Sequence, residues 1–198
     1  MTPDDVIAFW LDEPRADGAV PEAVQGRWWK KDPELDETIR QRFGEAVRAA
    51  VAGELVEWTE TPQGTLALII VLDQFTRNIF RDTGAMFAGD ARARGLTRRL
   101  LDGGGFESLR PVERYFALMP LMHSEEVPIQ QEAVARFEAE AERAPDAARK
   151  LFDNGALFAR KHAVIVERFG RFPHRNALLG RTSTSEELAF LETPGSSF

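Results

Sequence analysis

The chain has 198 residues, 43% of them hydrophobic, and a formal net charge of −7. That is enough for one domain spanning residues 1–198 with a full core, and too acidic for non-specific nucleic-acid binding. Cysteine is absent, which excludes disulfides, thiol nucleophiles and Cys-ligated metals.

The first ten residues, MTPDDVIAFW, are acidic and carry no basic segment followed by a long apolar core, so no secretory leader is expected. Thr2, Pro3, Asp4 and Asp5 make a helix start: a capping hydroxyl, proline in the first turn, and carboxylates at the positive dipole end. Val6, Phe9 and Trp10 give that helix one buried side. A Gly- and Pro-rich loop follows to about residue 25, and Trp28 and Trp29 then plug the core. Asp32 and Pro33 open a second helix, with Leu35, Ile39, Phe43, Ala46, Val47 and Ala50 at helical spacing up to Gly53.

Thr61 and Pro62 cap the helix around which the chain is organised. Residues 65–81 read TLALIIVLDQFTRNIFR. At 100° per residue, Leu68, Val71, Leu72, Phe75 and Ile79 share one face, while Asp73, Arg77 and Arg81 follow at i, i+4, i+8 on the other beside Gln74 and Asn78. The first half is apolar all round, the mark of a helix buried from every side. The polar stripe that continues it therefore faces an internal cleft. The apolar run at residues 66–72 is far short of the roughly 20 residues of a membrane span, so a cytoplasmic protein with no membrane partner is expected.

Asp82, Thr83 and Gly84 break that helix. Residues 90–101 form another, stopped by three glycines, and residues from 111 form a helix that Pro120 kinks or ends. Helices over residues 126–143 and 147–169 follow, the latter ending at Gly170. The last starts with a capping box of Thr184 and Glu187. Period-two alternation is never sustained. The expected fold is all-α, with short loops packing neighbours as antiparallel hairpins in a tetratricopeptide-like array closed into one domain; no repeat of about 34 residues accompanies it.

Three polar clusters stand out. Asp73, Gln74, Arg77, Asn78 and Arg81 read either as a cleft wall offering forked donors to a carboxylate or phosphate, or as an internal network. His123, Ser124, Glu125 and Glu126 hold one His and one Glu three apart. This reverses the Glu-x-x-His order of bundle metal sites and occurs once, so no metal is expected; Ser124 reads as a cap for the next helix. The third cluster runs from His162, read as a hydrogen-bonded core histidine, through Arg168, Arg171, His174, Arg175 and Asn176 to Arg181. Between residues 168 and 181 there are four arginines and no carboxylate, so the segment is paired with carboxylates elsewhere or open to an anion. The helix start that follows it offers further free amides. The clusters are expected to meet around the central helix, with Asp73, Glu125 and Glu126 as counter-charges.

Leu72-Asp73-Gln74-Phe75, Arg77-Asn78, His123-Ser124-Glu125 and residues 169–181 carry a specific resemblance. The chain resembles the bacterial family known as domain of unknown function 924 over nearly its whole length, departing at Thr76, where that family usually has proline. The resemblance implies an α-helical fold similar to tetratricopeptide-like arrays. It brings no activity, substrate, cofactor or catalytic residue.

The leading expectation is a pocket for a small anionic ligand lined by Asp73, Arg77, Asn78, Arg81, His123, Glu126, Arg171, His174, Arg175, Asn176 and Arg181. His123, His174 and Glu125 are the candidates for proton transfer. The alternatives are a protein or peptide partner held on stacked helices, with Trp28 and Trp29 as anchors, or clusters that only staple the fold. No cofactor is indicated, and no reaction class is selected.

Overall fold

The structure is a computed structural model and describes residues 1–13, 15 and 17–197. The described residues form α-helices with short 3-10 turns between them and no strand. In chain order the helices are α1 (Pro3–Leu11), α2 (Glu22–Trp29), α3 (Pro33–Val51), α4 (Pro62–Ile70), α5 (Thr76–Ile79), α6 (Asp90–Asp102), α7 (Pro111–Met122), α8 (Val127–Arg143), α9 (Asp146–Phe169) and α10 (Ser185–Leu191).

Helix starts follow local chemistry. The Thr2 side chain caps α1 and Asp5 returns the bond, Asp32 accepts from the amides of Glu34 and Leu35, and Thr184 with Glu187 closes the box at α10. Each satisfies amides that no helical carbonyl can reach. Gly170 ends α9 in the left-handed region, at φ 68°.

Helix α4 is the hub. Every residue from Gly64 to Val71 is buried, and α1, α6 and α7 all pack against it. An aromatic train crosses this core. Phe9 meets Phe43 at 4.8 Å between ring centroids, Phe43 meets Phe75 at 4.8 Å, Trp10 meets Phe75 at 5.5 Å, and Trp28 meets Phe116 at 4.7 Å. Helices α8 and α9 form a long hairpin against α7. Gly155 permits its close approach, since a β-carbon there would press into the rings of Phe137 and Tyr115.

Four expectations are corrected. Residues 65–81 are not one regular helix: α4 passes into a π-helical turn at Val71–Phe75 before α5 resumes. The helix through Pro120 does not stop there and runs on to Met122. The loop read up to residue 25 is partly helix α2; its residues 14 and 16 lie outside the described residues. Trp28 is a core plug, its Nε1 donating to the Trp10 carbonyl at 2.9 Å, whereas Trp29 is 52% exposed.

Candidate functional site

The π-helical turn positions the site. One extra residue in a helical turn rotates the side chains beyond it, and this turn carries Asp73 and Gln74. The Thr76 hydroxyl donates to the Leu72 carbonyl at 2.7 Å. Gly89 packs on the same carbonyl so tightly that a β-carbon would overlap its oxygen. That contact seats the first residue of α6, Asp90, beside Arg77 on α5.

Asp73 is the buried centre. Its carboxylate accepts from His123 Nδ1 at 2.7 Å and Gln74 Nε2 at 2.6 Å, and lies 3.3 Å from an Arg77 nitrogen. Burial disfavours its charge, but Arg77 and then His123 outweigh this and hold the carboxyl below the usual range. With Asp73 ionised, Nδ1 of a neutral His123 must be the donor, so Nε2 carries the lone pair. Nε2 has no hydrogen-bond partner among the described residues, and His123 lines the cleft.

Arg77 grips Asp90 with both terminal nitrogens, at 2.9 and 3.1 Å, and donates to the Asp73 carbonyl at 2.6 Å. Arg175, from the turn Pro173–Arg175, reaches the same Asp90 at 3.3 Å. Its guanidinium carbon sits 4.6 Å from the ring centroid of Phe87 and 4.4 Å from that of Phe172, a cation between two aromatic rings. Only 7% of Arg175 is exposed, and its Nε is buried with no acceptor among the described residues. Desolvation and the neighbouring Arg77 charge bring its pKa down to about 10.

These groups open onto a cleft of about 770 Å³, within the size range of small-molecule sites. Trp28, Trp29, Tyr115, Met119, Met122 and Phe158 supply apolar surface, and Lys30, Lys31, Arg81 and Asp82 are at its rim. Two further histidines line it. His162 on α9 donates Nδ1 to the Phe158 carbonyl at 2.8 Å, and burial, then the repulsion that a protonated His123 would exert, pushes its pKa down to about 3. His174 is pushed down to about 4, first by burial and then by Arg175, against a hydrogen bond to the Ser196 backbone.

The sequence-predicted site residues therefore divide. Asp73, Arg77, His123 and Arg175 come together in one cluster, but Asp73, a candidate ligand-binding residue, lies buried beneath the cleft and does not line it, whereas Arg77, His123, His174 and Arg175 do. Asn78 and Arg81 also line it, but both are held by Asp36 of α3: Asn78 at 2.7 Å and Arg81 at 2.6 and 2.8 Å. The remaining candidates do not line the cleft. Arg171 pairs with Glu187, and Arg181 with Glu125 at 2.5 and 2.8 Å. Glu125 also accepts the Phe172 amide, and Asn176 bonds both Ser183 and Arg181. Glu126 turns away from His123 toward Arg94 at 3.1 Å. Within the arginine-rich segment Arg168, Arg171 and Arg181 are thus paired with carboxylates, Arg168 on Glu186. At the start of α10 the Thr184 and Glu187 amides are taken by the helix's own capping box. Asp90, Asp36 and Phe87 escape sequence reasoning because nothing nearby in the chain ties them to an arginine. Gly89 beside Asp90, a glycine at a helix start, is the only local signal.

The fold and this layer of ion pairs define an all-α protein with an aromatic-walled cleft over a buried Asp–His–Arg cluster. The chain matches the family described as bacterial protein of unknown function over residues 6–195, and it belongs to that family, domain of unknown function 924. A solved structure, the protein of unknown function ATU0120 from Agrobacterium tumefaciens, is similar at 35% identity and TM-score 0.79, over 96% of each chain. No curated protein matches. Among the described residues, no helix is long and apolar enough to cross a membrane, and no three His, Asp or Glu side chains gather as a metal site.

Proposed function

We propose that the cleft binds a small organic anion, its charged head on Arg175 and Arg77 and its body along the aromatic and methionine wall. The observation that supports this most directly is Arg175. A guanidinium this buried normally spends its donors on carboxylates. Arg175 shares its one carboxylate, Asp90, with Arg77 and keeps Nε without an acceptor among the described residues. A carboxylate or phosphate oxygen would complete its coordination.

Thermal shift against octanoate, phenylacetate and inorganic phosphate tests the reading. A ligand at a hundred times its Kd adds about 2.7 kcal/mol, several degrees of Tm for a chain of this size. Arg175→Met should abolish the shift. If no anion raises Tm, or Arg175→Met responds as the wild type does, the reading fails.

A further inference from the structure

The charges beneath the cleft are matched one to one. Arg77 and Arg175 carry two positive charges, and Asp73 and Asp90 carry two negative ones. While His123 is neutral this buried layer has no net charge. A monoanion entering beside Arg175 would leave one negative charge uncompensated where charges are poorly solvated. His123 is the group placed to correct this. Its Nδ1 is held by Asp73, its Nε2 lone pair has no hydrogen-bond partner among the described residues, and the residue lines the cleft.

We infer that the cleft takes up a monocarboxylate with an apolar body together with one proton, which settles on His123 Nε2 and donates to the bound carboxylate. This rests on the anion-binding reading above and gives it a ligand class and a pH dependence. The singly charged head follows from the count: one proton neutralises one carboxylate, while a phosphate dianion leaves the layer negative. The apolar body follows from Trp28, Met119 and Met122, which inorganic phosphate would leave without a contact.

The other groups facing His123 do not substitute for it. His162 on α9, its ring centroid 6.0 Å away, and His174 are both held neutral by burial. Glu125 is committed to Arg181, and Glu126 to Arg94. Arg81 is bound to Asp36 and Lys31 to Asp82. Lys30 lies exposed at the rim, where water and salt screen it.

Isothermal titration calorimetry with sodium octanoate, in two buffers of different ionisation enthalpy near pH 7.5, counts the protons. Wild type should take up about one proton per octanoate, so affinity falls about tenfold per pH unit as pH rises above neutrality. His123→Gln should still bind, more weakly, with proton uptake near zero. Inorganic phosphate should bind more weakly than octanoate. Octanoate binding with no proton uptake in wild type, unchanged uptake in His123→Gln, or tighter binding of phosphate would overturn the inference. Absence of any binding heat would instead remove the anion-binding reading beneath it. If His123→Gln does not fold, the wild-type buffer comparison stands alone, supported by the imidazole NMR shift of His123 on octanoate addition; an unmoved resonance refutes it.

Discussion

Asp73 and His123, fifty residues apart in the chain, meet through one hydrogen bond of 2.7 Å. The bond ties the π-helical turn to the end of α7 and uses a carboxylate that, with Asp90, also neutralises Arg77. Breaking a buried pair by removing one partner costs about 3–5 kcal/mol. Asp73→Asn keeps the shape but not the charge. It should lower stability to urea by about 3 kcal/mol, and an unchanged midpoint would mean that the pair does not hold these elements together.

The two depressed histidines set an acid limit. His162 and His174 titrate at about 3 and about 4 in the fold, against 6.5 in the unfolded chain. The unfolded chain therefore binds more protons between those values. Stability is whole above about pH 6.5 and falls as pH drops, by about 1.4 kcal/mol per pH unit for each histidine. The lowered carboxylates Asp73, Asp36, Glu125 and Glu187 add their own loss below about pH 4.5. Tm should begin to fall near pH 6.5, and His162→Gln should flatten that first decline; a Tm constant from pH 7 to 5 would contradict it.

Gly89 is the next test. Any side chain there must displace the Leu72 carbonyl or the start of α6. Gly89→Ala should cost about 2 kcal/mol or more through strain at a packed backbone contact, and it should weaken octanoate binding because Asp90 moves with it. Gly26→Ala has open space around the new methyl and serves as the neutral control in the same denaturation series.

The arginines should separate into two classes. Arg181 is bound to Glu125, Asn176 and the Phe172 carbonyl, so Arg181→Met should cost about 1–3 kcal/mol and leave the octanoate shift intact. Arg175→Met leaves Asp73 and Asp90 to share Arg77, so it too should cost stability, about 3 kcal/mol, but unlike Arg181→Met it should abolish the ligand shift. Equal effects of both variants on binding would remove the distinction between the segment's internal pairing and the cleft.

Much of the helical framework could be read along the chain because its signals are local. Thr2 with Pro3, Asp32 with Pro33, and Thr184 with Glu187 mark helix starts through bonds spanning at most three residues. The polar half of residues 65–81 was legible as a largely buried polar stripe, since an all-apolar turn preceding it implies burial, but not as cleft wall against internal network. The π-helical turn was not legible, because the residues before it are apolar all round and give no stripe whose phase shift would show. The arginine-rich segment was legible as charge but not as pairing. Glu187 lies only sixteen residues from Arg171, yet Glu125 lies fifty-six from Arg181 and Asp90 eighty-five from Arg175.

Sequence by itself determined the all-α class, the boundaries of the longer helices such as α3, α8 and α9 to within a few residues, the burial of α4 and the residue types of the polar clusters. All of these depend on side-chain periodicity and capping over a single turn or two. Only the tertiary structure decided which arginine remains incompletely paired, that His123 rather than another histidine meets Asp73, and that Asp90 rather than Glu126 completes the charged layer. Those outcomes depend on through-space distances of about 3 Å between segments far apart in the chain. Electrostatic pairing acts on distance in space, and order along the backbone does not encode it.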